Sequence, residues 1–245
     1  MLAGSGVSLA QEHVGEYARA DIEFGASLYA ANCSVCHGVN GDGVAGVNLR
    51  SGQFRRAAND YELSAIILGG IPEAAMPAGN YTGSEVSGLV AFLRTMGEVD
   101  PSTLSIGDSS RGRSVFSQKG ACLDCHRIAG EGSRQAPDLT AIGASRSAGQ
   151  LERALVDPTG SMLPVNRPIR AVTNTGEVIN GRRLNENTYT IQIVDENNRL
   201  RSLEKDSLSE LTAVTVSPMP NFGESLSEQE LSDLLAYLLT LKGIG

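Results

Sequence analysis

The chain has 245 residues, of which 41% are hydrophobic and 20% charged, a composition that excludes an intrinsically disordered protein. The formal net charge of -8 argues against nucleic acid as a partner, because phosphate backbones are bound mainly by excess lysine and arginine. No apolar run reaches the roughly 18 residues that a transmembrane helix needs, so we predict a soluble globular protein without an integral membrane segment.

The N-terminal residues are mostly small and apolar and lead to Ser8-Leu9-Ala10, which resembles the cleavage region of a secretory signal peptide. The basic residues that open such a signal are missing. We interpret Met1–Ala10 as a trimmed or wrongly started signal, with an ordinary disordered tail as the alternative. Residues 1–19 are accordingly assigned to a signal remnant and N-terminal tail.

The four cysteines form two pairs of equal spacing, and a histidine follows each pair: Cys33, Cys36 and His37, then Cys122, Cys125 and His126. This Cys-x-x-Cys-His pattern is typical of covalent haem c attachment, because two thiols one helical turn apart can bond one haem edge while the imidazole reaches the iron. A redox dithiol or a shared zinc centre is the alternative. Either would leave two of the three histidines unexplained.

The surroundings of the two motifs also repeat. A short helical pattern ending in an aromatic residue, Tyr29 or Phe116, precedes each motif, and each is followed at a distance by a Ser/Thr cap with Glu three residues later. The capped helices share an apolar stripe that should pack inward. Its members match at a fixed offset of 145 residues: Leu89, Phe92 and Leu93 with Leu234, Tyr237 and Leu238.

This repeated order of helix, haem motif, loop and capped helix resembles the class I cytochrome c fold. The resemblance implies a mainly α protein with two cytochrome c-like helical domains in tandem, the second carrying a small antiparallel β insertion. We place the first domain at residues 20–98, a linker at 99–105 and the second domain at 106–245. The resemblance further implies two covalently bound haem c groups, one attached at Cys33 and Cys36 and the other at Cys122 and Cys125.

The four cysteines are used in haem attachment, and His37 and His126 are the proximal ligands, so only His13 is left among the histidines as a sixth iron ligand. One histidine cannot serve two haems, and methionine is therefore the natural sixth ligand. Met76 and Met219 are each followed by proline and precede a capped helix, where the resembled fold has its ligand loop. Met162 remains an alternative to Met219. Met96 falls on the apolar stripe and is interpreted as a core residue.

A ligating histidine normally donates its other ring N–H to a carbonyl group that orients the ring. In the resembled fold a Gly/Ala-Pro-x-Leu segment supplies that carbonyl. Residues 136–139, Ala-Pro-Asp-Leu, fit this role in the second domain. In the first domain residues 46–49, Gly-Val-Asn-Leu, are the counterpart, with valine in place of proline.

The longer spacing from His126 to Met219 locates the insertion at about residues 163–216. Five short strands are predicted within it, at Ile169–Thr173, Val178–Leu184, Thr188–Val194, Arg199–Leu203 and Ala213–Val216. The segment resembles the insertion of large haem-binding domains fused to or partnered with bacterial sugar and alcohol dehydrogenases. Four arginines on it could steer an acidic redox partner or simply solvate the sheet: Arg182, Arg183, Arg199 and Arg201. As a cover, the sheet would also bury the second haem and raise its potential.

These features predict a bacterial periplasmic dihaem c-type cytochrome that transfers single electrons between a donor and an acceptor. The expected partners are redox proteins such as a periplasmic dehydrogenase and a terminal oxidase or another cytochrome. One alternative is the cytochrome subunit of a dehydrogenase complex with a quinone-cofactor, flavin or molybdenum partner. A dihaem peroxidase or thiosulfate-oxidising enzyme is less well supported. Resemblance to those enzyme families would imply extra His or Cys ligands or an open iron site, which the residues of this chain largely do not supply. No catalytic residue is therefore expected.

Overall fold

A computed structural model describes residues 17–100, 104 and 107–243. The interpreted signal at Met1–Ala10, His13 and most of the interpreted linker lie outside the described residues. The chain divides into two compact units, Met1–Leu104 and Ser105–Gly245. No helix among the described residues is both long and apolar enough to cross a membrane.

The first unit is helical. Its helices are α1 (Arg19–Asn32), α2 (Ser34–His37), α3 (Asp60–Gly69) and α4 (Gly83–Thr95). The predicted cap of α4 is confirmed: the Thr82 side chain accepts from the Glu85 amide, and the Glu85 carboxylate accepts from the Thr82 amide, which satisfies two amides that the helix leaves open.

The helices α1 and α4 cross at two glycines. A Cβ atom on Gly25 would overlap the carbonyl oxygen of Gly88, so only glycine permits the two backbones to approach this closely. One turn further along, the rings of Tyr29 and Phe92 lie 5.4 Å apart between centroids. Beneath them Leu89 is almost fully buried. This crossing forms the core of the unit and holds the residues before the first Cys motif in place.

The described part of the second unit contains four α-helices and two groups of strands. The helices are α5 (Ser109–Ser117), α6 (Ile142–Ser145), α7 (Ala148–Val156) and α8 (Glu228–Thr240). A two-stranded hairpin follows the second Cys motif and is formed by β1 (Arg127–Ile128) and β2 (Glu131–Gly132). A larger sheet contains β3 (Pro168–Thr173), β4 (Val178–Glu186), β5 (Thr190–Asp195), β6 (Leu200–Glu204) and β7 (Leu208–Ala213).

The helix crossing is repeated between α5 and α8. Gly112 lies against the carbonyl group of Asp233, and the rings of Phe116 and Tyr237 are 5.3 Å apart between centroids. The buried Asp233 carboxylate accepts from the Arg111 guanidinium at 2.6 and 2.8 Å and from the Asp108 amide at 2.7 Å. Burial opposes ionisation of Asp233, but these donors outweigh it and lower the pKa of the carboxyl group.

The expected fold class, mainly α with a small β insertion, is wrong. The strands β3–β7 form one antiparallel sheet of five strands in the order β6-β5-β4-β3-β7. This sheet has a hydrophobic cluster of its own, built from alternating residues of three strands: Ile169, Ala171, Ile179, Ile191 and Ile193. Because it buries an independent core, the sheet is a major layer of the second unit, and the chain is a mixed α and β protein.

The strand bounds also differ from prediction at the last strand. The structure has β7 at Leu208–Ala213, whereas residues 213–216 were expected to form it. Leu211 of β7 pairs with Ala171 of β3, and a register shift follows Val172. The apolar Val214 and Val216 that suggested a strand are instead exposed and lie outside the sheet.

Candidate haem sites

The first Cys motif lies where α1 ends and the single turn of α2 begins. The Cys33 carbonyl accepts from the His37 amide at 2.9 Å and from the Cys36 amide at 3.2 Å, so the motif is one helical turn. Cys33 is half-buried and Cys36 exposed, and both are free thiols. The Tyr29 hydroxyl donates to the Gly38 carbonyl at 2.5 Å and ties the motif to the helix crossing.

The second motif has the same arrangement. The His126 amide donates to the Cys122 carbonyl at 2.8 Å, and again the first cysteine is half-buried and Cys125 is exposed. Burial raises the pKa of the Cys122 thiol to about 11, so this thiol stays protonated at neutral pH.

The zinc hypothesis needs three or four ligands at one point. Within residues 17–100, 104 and 107–243, no three His, Cys, Asp or Glu side chains come together in a way that could hold a metal ion. Both Cys pairs and the two histidines after them belong to the described residues. The two motifs lie in different units, and neither unit by itself assembles the ligand set of a zinc centre among its described residues.

The orientation of His126 is set by a backbone carbonyl, as residues 136–139 predicted. Its Nδ1 donates to the Pro137 carbonyl at 2.8 Å. Two further hydrogen bonds attach this segment to the motif, from the Ala136 amide to the Cys125 carbonyl at 2.9 Å and from the Leu139 amide to the Arg127 carbonyl at 2.8 Å. With its proton held at Nδ1, the ring presents the Nε2 lone pair, which is the atom a metal ion would bind.

The corresponding carbonyl in the first unit is missing. His37 Nδ1 is buried and has no hydrogen-bond partner among the described residues. The 46–49 segment that was expected to supply one instead turns back on its own loop, since the Val47 amide donates to the Val44 carbonyl and the Leu49 amide to the Gly41 carbonyl. Valine lacks the fixed backbone angle of proline, so nothing holds the Val47 carbonyl toward the histidine.

Both histidines are suited to bind a metal in their neutral form. Burial lowers the pKa of His37. Burial also lowers the pKa of His126, an effect that the Pro137 carbonyl opposes and the nearby Arg182 charge reinforces. The rings are therefore neutral at pH 7, and a neutral imidazole carries the lone pair that a metal ion requires.

Met76 lies in a tight turn of the first unit. Its backbone pairs with Ile71 through hydrogen bonds of 2.9 and 3.1 Å, and its side chain is half-buried. Tyr81, five residues later, and Cys33 both pack against the hydrophobic core of the first unit, so the segment that follows Met76 lies beside the first Cys motif. Met96 is 3% exposed and packs in the helical core, which confirms its interpretation as a core residue.

Met219 and Met162 are attached to the same loop of the second unit. The Met162 amide donates to the Thr159 carbonyl at 3.3 Å, and the Ser217 amide donates to the Thr159 hydroxyl at 3.2 Å. The Met219 amide in turn donates to the Ser217 hydroxyl at 3.2 Å. Both methionine side chains are half-buried. The sequence indicated two candidates, and the fold brings their backbones to one place.

The large sheet is linked to the segment that orients His126. At the turn between β5 and β6, the Asn198 side chain accepts from the Ser133 hydroxyl and the Arg134 amide, both at 2.9 Å. Asn198 has a φ of 60°, a left-handed conformation that asparagine tolerates better than most residues. No motif in the sequence indicated this contact, since the turn lies about sixty residues from Ser133.

The arginines of the sheet differ in their pairing. Arg183 pairs with Glu186 at 2.8 Å, Arg199 with Asp195 at 3.2 Å and Arg201 with Glu177 at 2.9 Å, so three of the four predicted docking charges are neutralised locally. The fourth arginine is Arg182, which has no carboxylate within ion-pair distance among the described residues. It lines a cavity of about 230 Å³. The cavity is bounded by three guanidinium groups and apolar sheet residues: Arg127, Arg134, Arg182, Leu184, Val194 and Leu200.

The two units have the same local arrangement. In each, a helix that carries an aromatic ring leads to a Cys-x-x-Cys-His turn, and a capped helix later in the unit crosses that first helix. A free thiol pair beside a neutral imidazole is what covalent haem c attachment requires. The fold and the two sites thus define an electron-transfer haem protein.

Comparisons with known proteins agree with this class. Residues 20–93 match the family described as cytochrome c oxidase, cbb3-type, subunit III, and residues 109–186 match the family described as cytochrome c. A "Cytochrome c-553-like" protein of Synechocystis sp. is 30% identical over 78 residues, which are 32% of this chain and 71% of that protein. The chain belongs to the cytochrome c family. It contains two cytochrome c domains in tandem, and such domains carry covalently bound haem c.

Proposed function

We propose that this chain is a periplasmic dihaem cytochrome that transfers single electrons between a redox donor and an acceptor protein. The observation that carries the proposal is the presence, in each unit, of a free Cys pair beside a neutral histidine. Attachment of haem to such motifs normally takes place outside the cytoplasm, which supports the periplasmic location. When bound, haem c supplies reversible one-electron storage.

Three kinds of residue in each unit would hold the haem. Cys33 and Cys36, and likewise Cys122 and Cys125, would hold one haem each through thioether bonds. His37 and His126 would each supply the proximal nitrogen. Met76 and Met219 would supply the distal sulfur, a soft ligand that favours reduced iron. With a histidine and a methionine both bound to each iron, no site would be left there for a substrate, and the chain would act as a carrier.

Intact-mass measurement tests the haem content. The chain is produced together with the machinery that attaches haem c, and its mass is compared with that of the same chain produced without it. We expect a mass gain of two haem groups and a red colour that survives acid-acetone extraction, because thioether bonds are covalent. A bare chain, or colour lost on extraction, would contradict the proposal.

Carbon monoxide binding separates a carrier from a peroxidase or thiosulfate-oxidising enzyme. If all axial positions are held by His and Met, the reduced protein should show no change in its absorption spectrum under carbon monoxide at pH 7. An enzyme with an open iron site would bind the gas at once. A stoichiometric response from either haem would count against the carrier function.

A dehydrogenase-bound cytochrome subunit is the second candidate function. The observation that favours it is a set of exposed apolar side chains on the five-stranded sheet: Val178, Leu184, Tyr189 and Leu200. Exposed apolar groups of this kind are typical of surfaces that a partner covers. The chemistry within the chain is the same in both cases. The candidates differ in whether the cytochrome is isolated free or as part of a stable complex.

The three-arginine cavity is the surface we assign to an acidic redox partner. It sets three guanidinium groups, none within ion-pair distance of a carboxylate among the described residues, against apolar walls on a chain of net charge -8, so it is a local exception to the overall charge. Asp138 also lines it, and hydrogen bonds from Thr140 together with the charges of Arg127 and Arg182 lower the pKa of this carboxyl group, so the lining carries three positive charges and one negative. Like charges that line one cleft focus the field and attract an oppositely charged partner.

We expect Arg182→Gln to slow oxidation of the reduced protein by ferricyanide, an anion, about three- to tenfold at low ionic strength. Oxidation by the tris(phenanthroline)cobalt(III) cation should not slow. Any change in the haem potential affects both oxidants, so the ratio of the two rates isolates the effect of charge. Arg183→Gln is the matched control, because this neighbour is paired with Glu186. An equal change of the ratio in both variants would refute the assignment.

A further inference from the structure

Three buried side-chain atoms have no hydrogen-bond partner among the described residues: His37 Nδ1, Ser161 Oγ and Arg167 Nε. Buried polar groups in folded proteins are nearly always paired, because an unpaired one has lost its hydrogen bonds to water without replacement. Two of the three atoms belong to one short segment, residues 157–167, which connects α7 to β3. A buried guanidinium nitrogen without an acceptor indicates that an acceptor from outside the polypeptide belongs there.

The backbone of this segment is held by its own hydrogen bonds. The Ser161 amide donates to the Asp157 carbonyl at 3.0 Å, and the Arg167 amide donates to the Pro164 carbonyl at 3.3 Å. The Asp157 carboxylate, the nearest acid along the chain, is used by the Gly160 amide at 2.9 Å. These local hydrogen bonds leave no acceptor of the segment for Ser161 Oγ or Arg167 Nε.

The position of the segment relates it to the second haem site. Thr159 accepts from the Ser217 amide, and Ser217 accepts in turn from the amide of Met219. Ser161 directly precedes Met162, the other candidate for the distal ligand. The two unpaired donors thus lie in the same loop that contacts the Met-Pro segment.

We propose that Arg167 and Ser161 bind a propionate of the second haem, which rests on the dihaem function proposed above. Haem carries two propionate carboxylates, and a carboxylate accepts from both a hydroxyl and a guanidinium group. A guanidinium stays charged at any pH of interest, so it neutralises the propionate permanently. Arg167 is in this sense a positioning residue, because it would act on the haem through the propionate.

The test uses the haem-loaded full chain with Arg167→Gln, and Arg153→Gln as the control. Arg153 lies on α7 in the same unit and is exposed, so its replacement removes the same charge without a buried partner. Because the haems are attached through cysteine, both variants should retain two haem groups by intact mass. This measurement separates a failure of the dihaem function from a failure of the present inference.

Loss of the Arg167 charge should stabilise ferric iron at one haem only. We expect the ferrous-to-ferric equilibrium of that haem to shift about tenfold toward the ferric form, which is 59 mV for a one-electron couple. The other haem and the Arg153→Gln control should keep their potentials. The propionate bending mode in the resonance Raman spectrum should move in Arg167→Gln and in Ser161→Ala, the milder variant that removes only a hydroxyl group.

Two results would overturn the inference. In the first, both haems are attached and Arg167→Gln matches Arg153→Gln in potential and in the propionate mode. In the second, the propionate mode is unchanged by Arg167→Gln while the potential of the original protein responds to added inorganic phosphate at constant ionic strength, which would assign a free anion to these donors. If Arg167→Gln fails to fold, Ser161→Ala decides through the propionate mode alone.

Discussion

Replacing Met219 with alanine should remove about half of the far-red absorption band that arises from methionine-to-iron charge transfer in the oxidised protein. The band reports each His/Met pair separately, and alanine offers no atom to bind the iron. The potential of the second haem should fall by on the order of 0.1 V or more, since axial ligand identity tunes haem potentials over roughly 0.8 V. The thioether stabilises the ferrous state, and its loss removes that preference.

Met162→Ala is the matched control for this experiment, because the same loop holds both methionines in the second unit. We expect it to retain the full band. Met76→Ala should remove the other half, and the double variant with Met219→Ala should have none. The family match at residues 109–186 includes Met162 and ends before Met219, so the result also decides how the second domain is to be aligned with its family. Loss of the band in Met162→Ala with retention in Met219→Ala would reverse our assignment.

Gly112→Ala should destabilise the second unit by about 3 kcal/mol or more, because the added methyl group would overlap the Asp233 carbonyl and lie near Tyr237 Cβ, at 2.9 Å. Neither neighbour can move freely: the first is backbone of α8, and Tyr237 is packed on Phe116. Separation of α5 from α8 would also strain the bonds from Arg111 to Asp233. The midpoint of urea unfolding, followed by far-ultraviolet circular dichroism, measures the effect.

Gly83→Ala is the control for this substitution. Gly83 opens α4, and a Cβ atom there meets nothing within 4 Å. Alanine has the higher helix propensity and restricts the unfolded chain, so we expect a neutral effect or a gain of up to about 1 kcal/mol. The outcome that contradicts the crossing geometry is a similar unfolding midpoint for Gly112→Ala and Gly83→Ala.

Local features of the site could be predicted from the sequence because they depend on residues close together in the chain. A Cys-x-x-Cys-His turn needs only consecutive residues, and the caps at Thr82 and Ser227 need a carboxylate three residues later. The partner of His126 was also predictable, because the Ala-Pro-Asp-Leu segment follows the motif closely. Amphipathic spacing identified the stripe of α4, whose Leu89 and Phe92 are buried.

Features that join distant segments could not be predicted in this way. Individual strands were recognised by alternation, but their assembly into five paired strands depends on register, which a single sequence does not report. The pairing of Arg183, Arg199 and Arg201 depends on carboxylates that the sheet brings alongside them. The absence of a partner for His37 depends on where a loop of the first unit turns.

The cofactor class, haem c, could be derived from the sequence alone, as could the positions of the thiols and imidazoles and the repetition of one helical unit. Those properties follow from short-range geometry and from the chemistry of residue types. The mixed α and β architecture, the contact of Asn198 with Ser133, and the donors at Ser161 and Arg167 that no described residue pairs with became visible only in the folded chain. Burial and pairing are properties of the surroundings of an atom, and those surroundings come from parts of the chain that meet only when it folds.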